Sequence, residues 1–184
     1  MKLKSFQVKN FRCINDSSEV PVEGDVTCLV GKNESGKTAV LHALQMLKPD
    51  DEDAFDVTQD YPRMRLNTYR KVHEQSPATP ISVTFDFSPD DLNALEDEFG
   101  YQTVSCLTFK AWRDYRNVFS TDIQVDESRF VTSFVDGISV PDGGTLQLLQ
   151  GETTINGLVG KLNTLVTKLP NLGESLQKLR AVQK

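Results

Sequence analysis

One stretch, Gly31-Lys32-Asn33-Glu34-Ser35-Gly36-Lys37-Thr38, constrains this chain more than any other. It fits the phosphate-binding pattern GxxxxGK[ST], and its flanks supply the context that the pattern requires. Asp25-Val26-Thr27-Cys28-Leu29-Val30 ahead of it is apolar and β-branched, which predicts a short buried strand. Behind it, Val40, Leu41, Ala43, Leu44 and Leu47 recur at helical spacing, and Pro49 ends the helix.

Each residue type in that loop has a physical task. Gly31 and Gly36 let the backbone turn tightly and approach a phosphate with no Cβ in the way. The amides of Asn33, Glu34, Ser35, Gly36 and Ala39 can then converge on phosphate oxygens, with the positive end of the following helix behind them. Lys37 would set an ammonium on the β- and γ-phosphates, and it is the one candidate catalytic group. The Thr38 hydroxyl would ligate Mg²⁺. The ligand that these parts imply is Mg-ATP. The plain alternative is a glycine-rich turn before a helix. His42, one turn beyond Thr38, reads as helix surface.

Composition sets outer limits. The 184 residues are 38% hydrophobic with a net charge of −6, which excludes collagen, a disordered polyelectrolyte and a disulfide mini-scaffold. The acidic total argues against a surface given over wholly to nucleic acid, while leaving room for a local basic patch. No apolar run reaches the length of a membrane span. Met1-Lys2-Leu3-Lys4-Ser5 carries charge with no apolar stretch after it, so no export signal is read and the cytosol is the expected compartment. Cys13, Cys28 and Cys106 are far apart and include no CxxC, so neither a disulfide framework nor a zinc site is indicated; Cys28 and Cys106 read as core residues.

Phe6-Gln7-Val8-Lys9-Asn10-Phe11-Arg12-Cys13-Ile14, a second strand and then the loop at 31–38 together resemble the N-terminus of RecF/SMC-like ABC ATPases. The likeness is greatest to the overcoming-lysogenization-defect (OLD) type, in DNA repair and phage defence. It covers about the first fifty residues. It implies an α/β P-loop NTPase fold, the first lobe of an ABC head, with a mixed sheet. It implies ATP held between two heads, the P-loop of one facing the signature motif of the other, and hence a homodimer. DNA would be engaged through other regions, with a nuclease domain or partner as effector. The resemblance carries Asn33, Gly36, Lys37 and Thr38 to the phosphate and Mg²⁺ roles, and places Arg12 near the nucleotide; a surface strand end is the alternative for Arg12.

The pattern of that family is incomplete here. A Walker B strand needs four apolar residues and then Asp-Glu. The nearest stretch, Ile123-Gln124-Val125-Asp126-Glu127, is interrupted by Gln124 and reads as a strand end plus turn. Pro141-Asp142-Gly143-Gly144-Thr145 lacks the Leu-Ser lead-in of a signature loop and reads as a turn. The expected organisation is an ATPase N-lobe over 1–140 and a helical extension over 141–184, the start of an arm or a dimer contact. The final residues stop inside a helical pattern, which reads as truncation. Two other readings stay open: an ATP-dependent assembly module without efficient hydrolysis, and a P-loop small-molecule kinase with Arg63, Arg65 and Arg70 as lid cations.

The remaining segments give weaker signals. Two antiparallel strands are expected within 1–30, and an acidic loop at 50–53. Tyr61 to Lys71 interleaves aromatics with Arg63, Arg65, Arg70 and Lys71 and holds no acid; it reads as ion-paired surface or as a track for a nucleic-acid backbone. Ile81–Phe87 alternates with period two and predicts a half-buried strand. Ser88-Pro89-Asp90-Asp91 opens a helix. Strands are expected at 103–112 and 117–125, with a further one possible at 129–135. From Ile155 to Leu179 apolar residues keep alternating three- and four-residue spacing. Pro170 and Gly173 split that seam into helices over about 154–169 and 174–183. The seam serves an arm or dimer contact, or packs on the chain's own sheet.

Overall fold

The computed structural model describes residues 1–47, 54–73, 75–100, 102–140 and 142–182. The expected acidic loop at 50–53, Pro49 and the last two residues lie outside them. The described chain forms two compact units, Met1–Ser88 with Leu107–Ile123, and Pro89–Cys106 with Gln124–Lys184.

The first unit is built on an antiparallel sheet. Strand β1 (Lys2–Phe11) pairs with β2 (Ile14–Asp16), β3 (Val20–Pro21) and β4 (Ile81–Asp86). Beyond β4 come β5 (Thr108–Arg113) and β6 (Phe119–Asp122), giving the order β2-β1-β4-β5-β6. Period-two alternation decides which face is buried. Phe6, Val8, Ile81, Val83, Phe109 and Ala111 pack inward with Ala39 and Ala43 of helix α1 (Lys37–Gln45). Ser5, Gln7, Ser82, Thr84 and Lys110 take the other face. Each large apolar side chain fully buried this way is worth about 1.5–3 kcal/mol. Arg113 is buried at the inner end of β5 and donates to the Met46 carbonyl at the end of α1 (2.8 Å). That bond ties the sheet to the helix that carries the loop. Helix α2 (Val57–Asp60), a 3₁₀ turn over Arg63–Thr68 and helix α3 (Tyr69–Val72) complete the unit.

The strand expected at 25–30 is absent. The backbone there belongs to no ladder among the described residues; Val26 and Val30 are 72% and 89% exposed, and Cys28 is exposed instead of forming core. An apolar, β-branched run becomes a strand only when a neighbour supplies N–H and C=O groups, and the described strands of this unit pair with one another. Cys106 is half-buried.

The second unit is helical: α4 (Pro89–Phe99), α5 (Glu127–Asp136), α6 (Gly143–Gln150), α7 (Ile155–Val166) and α8 (Gly173–Val182). The possible strand at 129–135 is the body of α5. Asp126 caps that helix by accepting from the Ser128 and Arg129 amides, and Phe130, Val131 and Val135 then fall on one buried face. Gly143 to Thr145, expected in a turn, form the first turn of α6, because the Asp142 carboxylate accepts from the Thr145 amide. The leucine seam is broken at Pro170 as expected. Leu158, Leu162, Leu172, Leu176 and Leu179 share one core with buried residues of α5 and α6 in the same unit. No described helix is long and apolar enough to cross a membrane.

Candidate nucleotide site

The loop at 31–38 owes its shape to two positions. Gly36 sits at φ +96°, immediately ahead of α1, where a side chain is strained. A Cβ there would also lie 3.2 Å from Cys13 Sγ and from Ile14 Cγ1. Glu34 is the second left-handed residue, at φ 65°. Between them the chain doubles back, and the Ser35 amide donates to the Lys32 carbonyl at 3.2 Å. Lys37 spans the resulting ring. Its Nζ donates to the Gly31 carbonyl (2.9 Å) and the Lys32 carbonyl (2.7 Å). An ammonium has three donors, so two hold the loop and one remains for an anion.

The loop borders an open cleft of about 550 Å³ lined by Arg12, Cys13, Asn33, Glu34, Gly36, Lys37, Thr38 and Ala39. Arg12 is thereby brought beside the loop although 24 positions separate Arg12 from Gly36 in sequence. Gly31 and Ser35 do not line the cleft; they shape the turn behind it. A side chain on Gly31 would meet Ser35 Oγ at 2.7 Å. Cys13 was not anticipated. Its place directly after Arg12, on the turn between β1 and β2, was the available signal. His42 is exposed on α1, as read from sequence.

Arg12 is held by a strained turn. Asn10 (φ 50°) and Arg12 (φ 53°) are both left-handed and flank the fully buried Phe11. Such conformations cost on the order of 1–3 kcal/mol each and persist only where surroundings enforce them. The surroundings are on hand. Tyr115 Oη donates to the Asn10 carbonyl at 2.7 Å, and Arg65 Nη1 reaches Asn10 Oδ1 at 3.4 Å. Arg12 Nε bonds the buried Asp60 carboxylate at 3.1 Å, and the Arg12 amide donates to the Asp60 carbonyl. Burial pushes the Tyr115 phenol far above its ordinary range, so it stays a neutral donor.

Thr38 is exposed and lines the cleft, a hard oxygen suited to Mg²⁺. Among the described residues, no group of three or more His, Cys, Asp or Glu is placed to hold a metal ion. An ion here would therefore take Thr38 together with phosphate and water oxygens. The weighed Walker B residues are engaged in helix structure. Asp126 caps α5, and Glu127 Oε2 accepts from the Ile155 amide at 3.0 Å.

A family described as "AAA ATPase domain" matches residues 1–140. The chain belongs to the AAA ATPase domain family. Within it, the chain is 40% identical over 87 residues to the OLD nuclease of Thermus scotoductus, a match that takes in 46% of this chain and 14% of that protein. The RecF/SMC-like, OLD-type likeness expected from the opening residues is thus borne out. A solved structure described as structural biochemistry of ATP-driven dimerisation and DNA-stimulated activation of SMC ATPases aligns over 88% of this chain and 99% of its own. The identity is 12% and the TM-score 0.38, too low to carry weight.

Proposed function

We propose that this AAA ATPase domain binds Mg-ATP in the cleft between the 31–38 loop and Arg12. In this reading it serves as the ATP-binding lobe of an ABC-type ATPase, in which ATP gates the pairing of two heads and a DNA-directed effector in repair or antiviral defence. The observation that carries the reading is the loop itself: left-handed Glu34 and Gly36, and Lys37 pinned across the ring with one donor free. The work is electrostatic positioning. Asn33, Glu34, Gly36 and Ala39 cradle the phosphates, Lys37 neutralises the β- and γ-phosphates, and Arg12 adds a second cation at the rim. Mg²⁺, held by Thr38, supplies further charge neutralisation when bound. The OLD nuclease relative supports a nuclease as the effector.

A second reading has one observation in its favour. Asp126 and Glu127 serve helix structure, so among the described residues Glu34 is the only carboxylate lining the cleft. The output of this chain alone would then be nucleotide-dependent assembly, with little hydrolysis. Calorimetric titration with Mg-ATP tests the shared core: micromolar binding that Lys37→Ala abolishes is expected, and unchanged affinity in that variant refutes the site. Phosphate release by the chain separates the two readings. Negligible turnover with ATP-induced dimers in sedimentation supports assembly, and rapid turnover by the monomer contradicts both.

A further inference from the structure

We propose that Asp60 is a positioning residue for nucleotide binding: it fixes the direction of the Arg12 side chain at the rim of the 31–38 cleft. The inference rests on the Mg-ATP reading and says how that site is kept in shape. Arg12 is exposed, and an exposed arginine ordinarily samples many rotamers. Here it is anchored twice to one residue 48 positions away. The Arg12 amide donates to the Asp60 carbonyl, and Arg12 Nε donates to Asp60 Oδ1 at 3.1 Å. The guanidinium also lies over the Phe11 ring, 5.0 Å from its centroid. Because Asp60 takes Nε, its grip does not consume Nη1 or Nη2, the donors with the longest reach.

Asp60 can do this because its own place is fixed. It ends α2, a single turn closed by reciprocal bonds. The Asp60 amide donates to the Asp56 carbonyl (2.8 Å), and the Asp56 amide donates to Asp60 Oδ2 (3.2 Å). The Asp56 carboxylate in turn accepts from the Thr58 and Gln59 amides. Phe55, directly ahead, is fastened to Asn117. Its amide donates to Asn117 Oδ1 (2.8 Å), and its carbonyl accepts from Asn117 Nδ2 (3.1 Å). The Phe55 ring packs edge-on against Phe11, with centroids 5.6 Å apart. The carboxylate and the turn that bears Arg12 are thus tied to one frame. The asymmetry of the pair points to a task beyond stability. The Asp60 side chain is 9% exposed and that of Arg12 40%. A carboxylate taken out of water adds little net stability over an apolar pair of the same shape. Held rigidly beneath a half-exposed cation, it sets where that cation points. Asp60 does not line the cleft, so it acts through Arg12.

The test is a mutant cycle on the full chain: Mg-ATP titration of wild type, Asp60→Ala, Arg12→Gln and Arg12→Gln/Asp60→Ala, with the ¹⁵N-resolved Arg12 Nε–H signal recorded on ATP-free samples. Arg12→Gln keeps an amide donor for the buried carboxylate and loses the charge. Asp60→Ala should weaken ATP binding about 10-fold in the wild-type background and less than about 2-fold once Arg12 is replaced. The Arg12 Nε–H resonance, assigned by its disappearance in Arg12→Gln, should stand apart in wild type and merge with those of exposed arginines in Asp60→Ala. Asp60→Asn, nearly isosteric and uncharged, should show both effects in smaller measure, and it carries the test if Asp60→Ala loses the wild-type circular dichroism. An equal loss of affinity in both backgrounds would make Asp60 merely structural and overturn the proposal. An Nε–H signal unmoved by either substitution would overturn it too. Wild type that binds no ATP, or binding that survives Lys37→Ala, overturns instead the Mg-ATP reading beneath it.

Discussion

Replacing Gly36 by alanine isolates the feature on which the nucleotide site depends. At φ +96° an L-residue loses about 1–2 kcal/mol relative to glycine. The added methyl also meets Cys13 Sγ and Ile14 Cγ1 at 3.2 Å, tighter than ordinary van der Waals contact, and both belong to the turn that presents Arg12. Relief comes by rotating Gly36 out of the left-handed region, which reshapes the loop that borders the cleft. A penalty of about 1.5–3 kcal/mol corresponds to roughly 10- to 150-fold weaker ATP binding if the bound state alone must restore the loop. If the free loop keeps its shape, the same penalty appears as a melting temperature lower by about 3–10 °C. Calorimetric titration and thermal denaturation on one preparation measure both. Adding Cys13→Ala removes one of the two close contacts and not the dihedral cost, so it should recover only part of the loss. Unchanged affinity and unchanged melting in Gly36→Ala would refute the argument, because the loop would then not rely on that conformation.

Other consequences are more direct. Lys37→Ala should weaken ATP binding at least about 100-fold while leaving far-UV circular dichroism intact, since its other bonds are two loop carbonyls that water can satisfy. Tyr115→Phe deletes the bond to the Asn10 carbonyl and should cost about 0.5–1.5 kcal/mol in urea denaturation, with Arg12 less ordered and ATP binding slightly weaker. Leu162→Ala opens a cavity in the helical unit and should cost about 2–5 kcal/mol there without altering ATP affinity. The caps give a pH dependence. Hydrogen bonds from Ser128 hold the Asp126 carboxyl below its ordinary 3.8, and those from Thr145 do the same for Asp142. A carboxyl whose folded value is depressed contributes above its unfolded value and loses that contribution as pH falls through the folded one. Urea midpoints should therefore be flat above about pH 5 and drop below about pH 4, and Asp126→Asn/Asp142→Asn should blunt the drop.

Much of the candidate site was legible from local chemistry. A loop that reverses through left-handed backbone and starts a helix calls for glycine at 36 whatever surrounds it, and Lys37 and Thr38 follow it in the pattern. Helix ends were equally local where a cap or proline marked them, as at Pro89 and Pro170. The strand at 81–86 was legible because alternation and burial are the same fact on a sheet face. Two readings failed where the deciding term is not local. Val26 to Val30 has strand composition and no ladder, because a strand takes its hydrogen bonds from a neighbour. Residues 129–135 are β-branched and aromatic, yet Asp126 supplies a cap and Val131 and Val135 find a helical core. The leucine seam had two readings, and its buried leucines share a core with the helices of their own unit.

By itself, the order of residues determined the 31–38 loop and its helix, since spacing and glycine placement act over a few bonds. Only the tertiary structure decided that Cys13 joins that loop beside Arg12, that Asp60 and Tyr115 hold the strained turn at Asn10, and that the tyrosines of 61–69 turn inward while the arginines turn out. Those outcomes depend on contacts between residues as much as 105 positions apart. No local pattern carries that information, because burial is set by whatever the rest of the chain brings alongside.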